Sequence, residues 1–154
     1  MLLRRLVRAQ LRLLEELGAP YGEAPEPEPA PVIGGPRDVY ELLAPEMQQL
    51  EHEQLRVLLL DTRHRVLDAV TLYQGTVNQT PARIAELFRE AVRANAPAIV
   101  LAHQHPSGDP SPSPDDIRLT ADAAKAGGLL GIELLDHIVI GRGRFVSLKE
   151  RHCF

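Results

Sequence analysis

The 154-residue chain holds one cysteine, Cys153, next to its C-terminal residue. A lone thiol excludes a disulfide framework, a zinc ribbon and any cysteine-rich finger. Tryptophan is absent and aromatic residues make up 4% of the sequence, so the core must be assembled from Leu, Val, Ile and Ala. No apolar run approaches the roughly 18 residues of a membrane span. The Leu-rich start carries Arg4, Arg5, Arg8 and Arg12 and then Glu15 and Glu16, and so lacks the unbroken apolar centre of a signal peptide. Positive charge is not in surplus either. Against 17 Lys and Arg stand 21 Asp and Glu, a net charge of −4 with no long basic run, which argues against electrostatically driven nucleic-acid binding. A cytoplasmic protein with no membrane contact is the expectation.

What the chain has in abundance is proline, 13 residues placed in two concentrations. Six lie from Pro20 to Pro36 and four from Pro106 to Pro114. The rest of the composition, 44% hydrophobic and 25% charged, is that of an ordinary globular domain. Apolar residues at Leu2, Leu3, Leu6, Val7, Leu11, Leu14 and Leu17 keep a helical period, predicting a helix over 1–17 that Gly18 stops. Residues 18–35, with proline at alternate positions, read as a stiff linker. The main domain is then expected over 36–154.

Within it, a short helix is expected after Pro36, interrupted near Pro45. Leu55–Leu60 and Arg65–Tyr73 read as strands joined by a turn at Asp61–His64. Thr80 and Pro81 are an N-cap and a first helical residue, followed by Ile84, Leu87, Phe88, Ala91 and Val92 at helical spacing. Ala98–Ala102 reads as a buried strand. A helix from about Pro114 to Lys125 is expected to end at Gly127 and Gly128. Ile132–Ile140 and Arg144–Leu148 are the last strands, joined by a glycine turn. The order of elements predicts an α/β fold, a mixed β-sheet with helices packed on it.

The chemistry concentrates in one stretch, Leu101-Ala-His-Gln-His-Pro-Ser-Gly-Asp-Pro-Ser-Pro-Ser-Pro-Asp-Asp116. His103 and His105 are two apart at the end of a strand, so both imidazoles can meet one point. The proline loop turns the chain back to a helix start, where Asp116 can face the loop. Two His and one Asp are the donor set that leaves one zinc position open, the mark of a catalytic site. Each residue also has a plain explanation. Paired histidines are often surface residues, and Ser113 with Asp116 makes an N-cap with an acid three residues later. Their conjunction in one stretch carries the weight.

The spacing of His103, His105, Ser113 and Asp116 resembles the JAMM motif of JAB/MPN-type metallopeptidases, whose architecture is cytidine deaminase-like. The longer string from His103 to Ser113, with Leu135-Asp-His-Ile-Val-Ile-Gly-Arg-Gly143 and Leu60-Asp-Thr-Arg-His-Arg-Val66, resembles the RadC family specifically. The resemblance implies Zn2+ on His103, His105 and Asp116, and a Glu hydrogen-bonded to the zinc-bound water. Counting back from Leu60-Asp61 assigns that Glu to Glu53, with Glu51 a near rival on the same strand parity and Glu46 a weaker one. It also implies that Ser113 helps hold an oxyanion. The activity implied is cleavage of a peptide or isopeptide bond in a peptide or protein substrate. The alternatives are a non-catalytic MPN-type binding module and a DNA-repair accessory, which the acidic charge disfavours. Such proteins usually have Asn where this chain has Gln104, a change expected to bear on substrate contacts. Asp136-His137 admits two readings, support of the metal site or a hydrogen-bonded pair fixing strand edges. Free sheet edges make a homodimer an option.

Overall fold

The structure, a computed structural model, describes residues 29–75 and 83–154. The expected helix over 1–17, most of the linker, and Thr80 and Pro81 lie outside these residues, but the helix expected to open at Pro81 begins at Ile84, after Arg83 in extended backbone. The elements in chain order are α1 (Pro36–Met47), β1 (Glu53–Leu60), β2 (Val66–Gly75), α2 (Ile84–Ala94), β3 (Ala98–Gln104), α3 (Pro114–Leu130), β4 (Glu133–Ile140) and β5 (Phe145–Ser147). The five strands form one sheet in the order β2-β1-β3-β4-β5. Only β3 and β4 are parallel, with α3 as their crossover; the other neighbours are antiparallel. This is the mixed α/β sheet that the order of sequence patterns predicts.

Strands β1 and β3 read as apolar runs, broken in β1 by Arg56, because both of their faces are covered. Leu58, Leu60, Val100 and Ala102 pack beneath α1 with Val39, Leu43 and Met47. Leu55, Val57, Leu59, Ile99 and Leu101 pack on the opposite face, against Leu87, Phe88 and Ala91 of α2 and Ala123 of α3. Parity then sets the facing of the polar residues at the ends of these runs. His103 continues the face of Ile99 and Leu101, which is the face that α3 covers. Glu53 continues the face of Leu55 and Val57.

Two helix ends differ from the expectation. Helix α1 is not interrupted at Pro45 but runs through it to Met47. The proline sits in the last turn, where few intrahelical bonds remain to be lost. Helix α3 passes through Gly127 and Gly128 and ends at Gly131, whose φ of 69° is left-handed. Gly127 serves packing instead: a Cβ there would lie 2.3 Å from the Ile132 carbonyl oxygen and 3.3 Å from the Phe88 ring. The last residues of the expected linker are bound to the domain. The Ile33 N–H donates to the His64 carbonyl, Val66 N–H donates to the Pro31 carbonyl, and Ile33 is buried. Among the described residues no helix is long and apolar enough to cross a membrane.

Candidate metal centre

The site lies at the C-terminal edge of β3. Pairing of Leu55 with His103 ends the β1–β3 ladder, and continuing that register two places sets Glu53 opposite His105. His105 itself leaves the strand but still donates its N–H to the Ile140 carbonyl of β4. From there the chain must reverse to bring α3 back over the sheet. Gly108, in the left-handed region at φ 81°, makes the turn, and its N–H bonds the His105 carbonyl. The returning loop lies on Gly141, where a Cβ would meet the Gly108 carbonyl at 2.5 Å and Pro110 at 2.6 Å. Only glycine admits that approach. Pro114 then opens α3, with Ser113 as its N-cap.

This path brings together the side chains singled out in the sequence. His103 Nε2 and His105 Nε2 stand 3.0 Å apart. Asp116 Oδ1 lies 3.3 Å from His103 Nε2, and Oδ2 lies 3.7 Å from His105 Nε2. A Glu53 carboxylate oxygen and the two imidazole nitrogens all fall within 4.8 Å of one another, a group able to hold a metal ion. Ser113 forms a full capping box with Asp116. Its hydroxyl and its backbone N–H both donate to Asp116 Oδ2 at 2.7 Å, and the hydroxyl accepts from the Asp116 N–H at 3.1 Å.

The rival glutamates stand apart. Glu51 is exposed and precedes β1, so the parity that would align it with Glu53 does not extend to it. Glu46 lies on α1 and forms a two-pronged ion pair with the buried Arg56 guanidinium, at 2.6 and 2.8 Å.

Electrostatics follow from this crowding. Burial opposes ionisation of Asp116, but the His103 and His105 imidazoles beside it, and then the hydrogen bond from the Ser113 backbone, hold its carboxyl far below the usual carboxylate range. The Asp116 carboxylate beside it raises the His105 imidazole, against its partial burial, and the Asp109 carbonyl adds to the rise. Complete burial pushes His137 well below its ordinary range, so this ring is neutral.

Four residues around the site carry roles that the sequence pattern leaves open or misses. Asp136 and His137 divide the two readings between them. Asp136 accepts from its neighbour's N–H, from the Ser147 hydroxyl and from the Lys149 N–H, and so ties β5 and the C-terminal turn to β4. His137 points the other way, with Nε2 at 2.8 Å from His103 Nδ1 and Nδ1 at 2.6 Å from Thr120 Oγ1. Gln104 holds the neighbouring strand end. It is 2% exposed, and its amide accepts from the Gln54 N–H and donates to the His52 carbonyl, clamping the backbone on both sides of Glu53. Thr120 is the residue sequence reasoning missed. Its signal is its place four residues after Asp116, on the same helix face.

A mixed α/β sheet with two imidazoles and two carboxylates gathered at the end of its central strand defines a JAB-type domain with a candidate metal centre. The chain belongs to the RadC family: residues 33–153 match the model of the RadC-like JAB domain. It is 53% identical over 119 residues to a UPF0758 protein of Chloroflexus aggregans, covering 77% of this chain and 52% of that one. A UPF0758 protein of Roseiflexus castenholzii is 50% identical over 119 residues, covering 77% and 51%. One of Desulfitobacterium hafniense is 43% identical over 143 residues, covering 93% and 63%. The chain spans about half the length of the first two.

Proposed function

We infer that this domain is a zinc-dependent hydrolase of peptide or isopeptide bonds, with His103, His105 and Asp116 as ligands and Glu53 as general base. The observation that carries this reading is the gathering of two imidazole nitrogens and the Asp116 carboxylate at one point. Ligands on a tetrahedral zinc with bonds of about 2.0–2.1 Å stand about 3.3–3.4 Å from one another. Here the two imidazole nitrogens stand 3.0 Å apart, and each has its own Asp116 oxygen beside it, Oδ1 at 3.3 Å from His103 Nε2 and Oδ2 at 3.7 Å from His105 Nε2. The donors are also of the right type, two imidazoles and a carboxylate held ionised. A zinc ion on three such donors keeps a fourth position open and supplies an activated water near neutral pH.

Glu53 is the acid of the cluster that the ligand set does not need. It takes a proton from the attacking water and returns it to the leaving amine. The Ser113 hydroxyl can turn toward a substrate oxygen without leaving Asp116 Oδ2 bare, because the Ser113 backbone N–H bonds the same atom. That freedom suits it to stabilise an oxyanion.

Metal analysis tests the reading. One zinc per chain is expected in the wild-type protein and none in His103→Ala or Asp116→Ala. Glu53→Gln should retain the zinc yet lower the cleavage rate of any peptide or isopeptide substrate by about 10²–10⁴. A folded wild-type protein that binds no zinc when offered it would overturn the reading. Full activity in Glu53→Gln would move the base to another group.

A further inference from the structure

We propose that Thr120 and His137 are positioning residues, a hydrogen-bond relay that fixes the tautomer of His103 so that its Nε2 lone pair faces the site. The proposal deepens the zinc reading and takes its purpose from it, while its geometry stands independently.

The relay has three contacts. Thr120 Oγ1 lies 2.6 Å from the Asp116 backbone oxygen and 2.6 Å from His137 Nδ1, and His137 Nε2 lies 2.8 Å from His103 Nδ1. Thr120 and His137 are fully buried and His103 nearly so, which leaves little room for a water to complete a different pattern. The direction of the protons is settled by counting them. A carbonyl oxygen only accepts, so the single hydroxyl hydrogen of Thr120 goes to Asp116. Toward His137 the same oxygen must accept, which puts a hydrogen on His137 Nδ1. A neutral imidazole has one N–H, so His137 Nε2 accepts, and His103 Nδ1 must donate to it. His103 Nε2 is then bare. The opposite polarity would press two oxygens together at 2.6 Å with no hydrogen between them, and the cost of that contact decides against it.

His105 reaches the same state by its own route. Its Nδ1 lies 2.8 Å from the Asp109 carbonyl, which takes a hydrogen and leaves Nε2 bare. Two lone pairs 3.0 Å apart, beside a carboxylate, repel until a cation sits among them. The relay also begins and ends on Asp116, running from its backbone oxygen through α3, β4 and β3 to an imidazole 3.3 Å from its carboxylate. A β-bulge makes the circuit possible. Ile99 pairs with Leu134 but Val100 pairs with Asp136, so Leu135 is the extra residue. That one-residue insertion turns His137, rather than Asp136, toward His103.

The test uses the ¹⁵N-labelled protein stripped of metal by a chelator, at a pH where neither ring is protonated twice. Two-bond ¹H–¹⁵N correlations should show both His103 and His137 protonated at Nδ1, the form that free histidine populates less. Protonation of His103 at Nε2 would overturn the proposal. Thr120→Val removes the acceptor for His137 Nδ1. It should shift His137 toward the Nε2 tautomer and lower zinc affinity about 10–100-fold, measured by competition with a chromophoric chelator. Thr120→Ser should restore both. Wild-type tautomers together with wild-type zinc affinity in Thr120→Val would also overturn it. If that variant does not fold, the wild-type spectrum decides alone. The expected tautomers in a protein that binds no zinc would uphold the relay and sink the zinc reading. Reversed tautomers in a protein that binds zinc would do the opposite.

Discussion

Replacing Gln104 with methionine keeps the length of the side chain and removes its amide. Among the described residues, that amide is the side chain that bonds the main chain on either side of Glu53, at His52 and at Gln54. Gln54 is 6% exposed, so the variant leaves its N–H buried without an acceptor, at a cost of about 1–3 kcal/mol. The His52 carbonyl belongs to an exposed residue, and water can replace the lost donor there at little cost. The expected loss is therefore about 1–3 kcal/mol in all, set by one buried group. With an m-value of roughly 1–2 kcal/mol/M in urea, the unfolding midpoint should fall by about 1 M. Gln104→Asn keeps an amide but is one methylene too short to hold both contacts, so it should fall between. Urea titration of the metal-free protein by circular dichroism measures the loss. Since Gln104 touches no proposed ligand atom, zinc affinity should change much less than any rate that depends on Glu53. An unchanged midpoint in Gln104→Met would refute the reasoning, because it would mean that the clamp holds nothing that solvent does not hold equally well.

Two further tests concern the frame around the site. Gly127→Ala should destabilise the domain by about 1–3 kcal/mol, since the new methyl meets the Ile132 carbonyl and the Phe88 ring, whereas Gly128→Ala meets nothing within 4 Å and should be neutral or slightly stabilising. Thermal unfolding of the two variants side by side checks this, and equal melting temperatures would show that α3 does not rest on α2 at that glycine. The Arg56 hydrogen bond holds the Glu46 carboxyl below its ordinary 4.5. A depressed carboxyl contributes stability above its unfolded pKa and loses it as pH falls through the folded value, so this contribution should begin to decline below about pH 4.5 and be gone only below the lower folded value. In Glu46→Gln the acid limb of a stability-against-pH curve should be flatter over that window, and an identical limb would dismiss the ion pair as a contributor.

Elements whose signals are local were legible in the sequence. Both faces of β1 and β3 are buried, so each appears as an apolar run, and His103 and His105 announce themselves at the end of one of those runs. Ser113, Pro114 and Asp116 spell a helix start in any context. What stayed out of reach depends on contacts distant in sequence. Gly127 looks like a terminator until Ile132 and Phe88 are seen to occupy the space beside it. Glu46, Glu51 and Glu53 separate only once Arg56 is known to take the first and β1 is known to begin at the last.

The case of His137 shows why the limit falls there. Alternation along β4 assigns faces only while the pairing is regular, and the bulge at Leu135 breaks it between Leu134 and Asp136. Counted straight from Leu134, Asp136 would share the face of the metal centre and His137 would point away. The insertion exchanges them. Asp136 then binds Ser147 and Lys149, and His137 meets His103 and Thr120. Nothing in β4 itself distinguishes the two outcomes, because a bulge is a property of the pair of strands. The clue that does exist lies on another element: a threonine one helical turn beyond Asp116, able to bond back to that residue's carbonyl and still offer an oxygen to a partner across the sheet. A residue of that kind beside a ligand is therefore a better guide to the support of such a site than the histidine it holds.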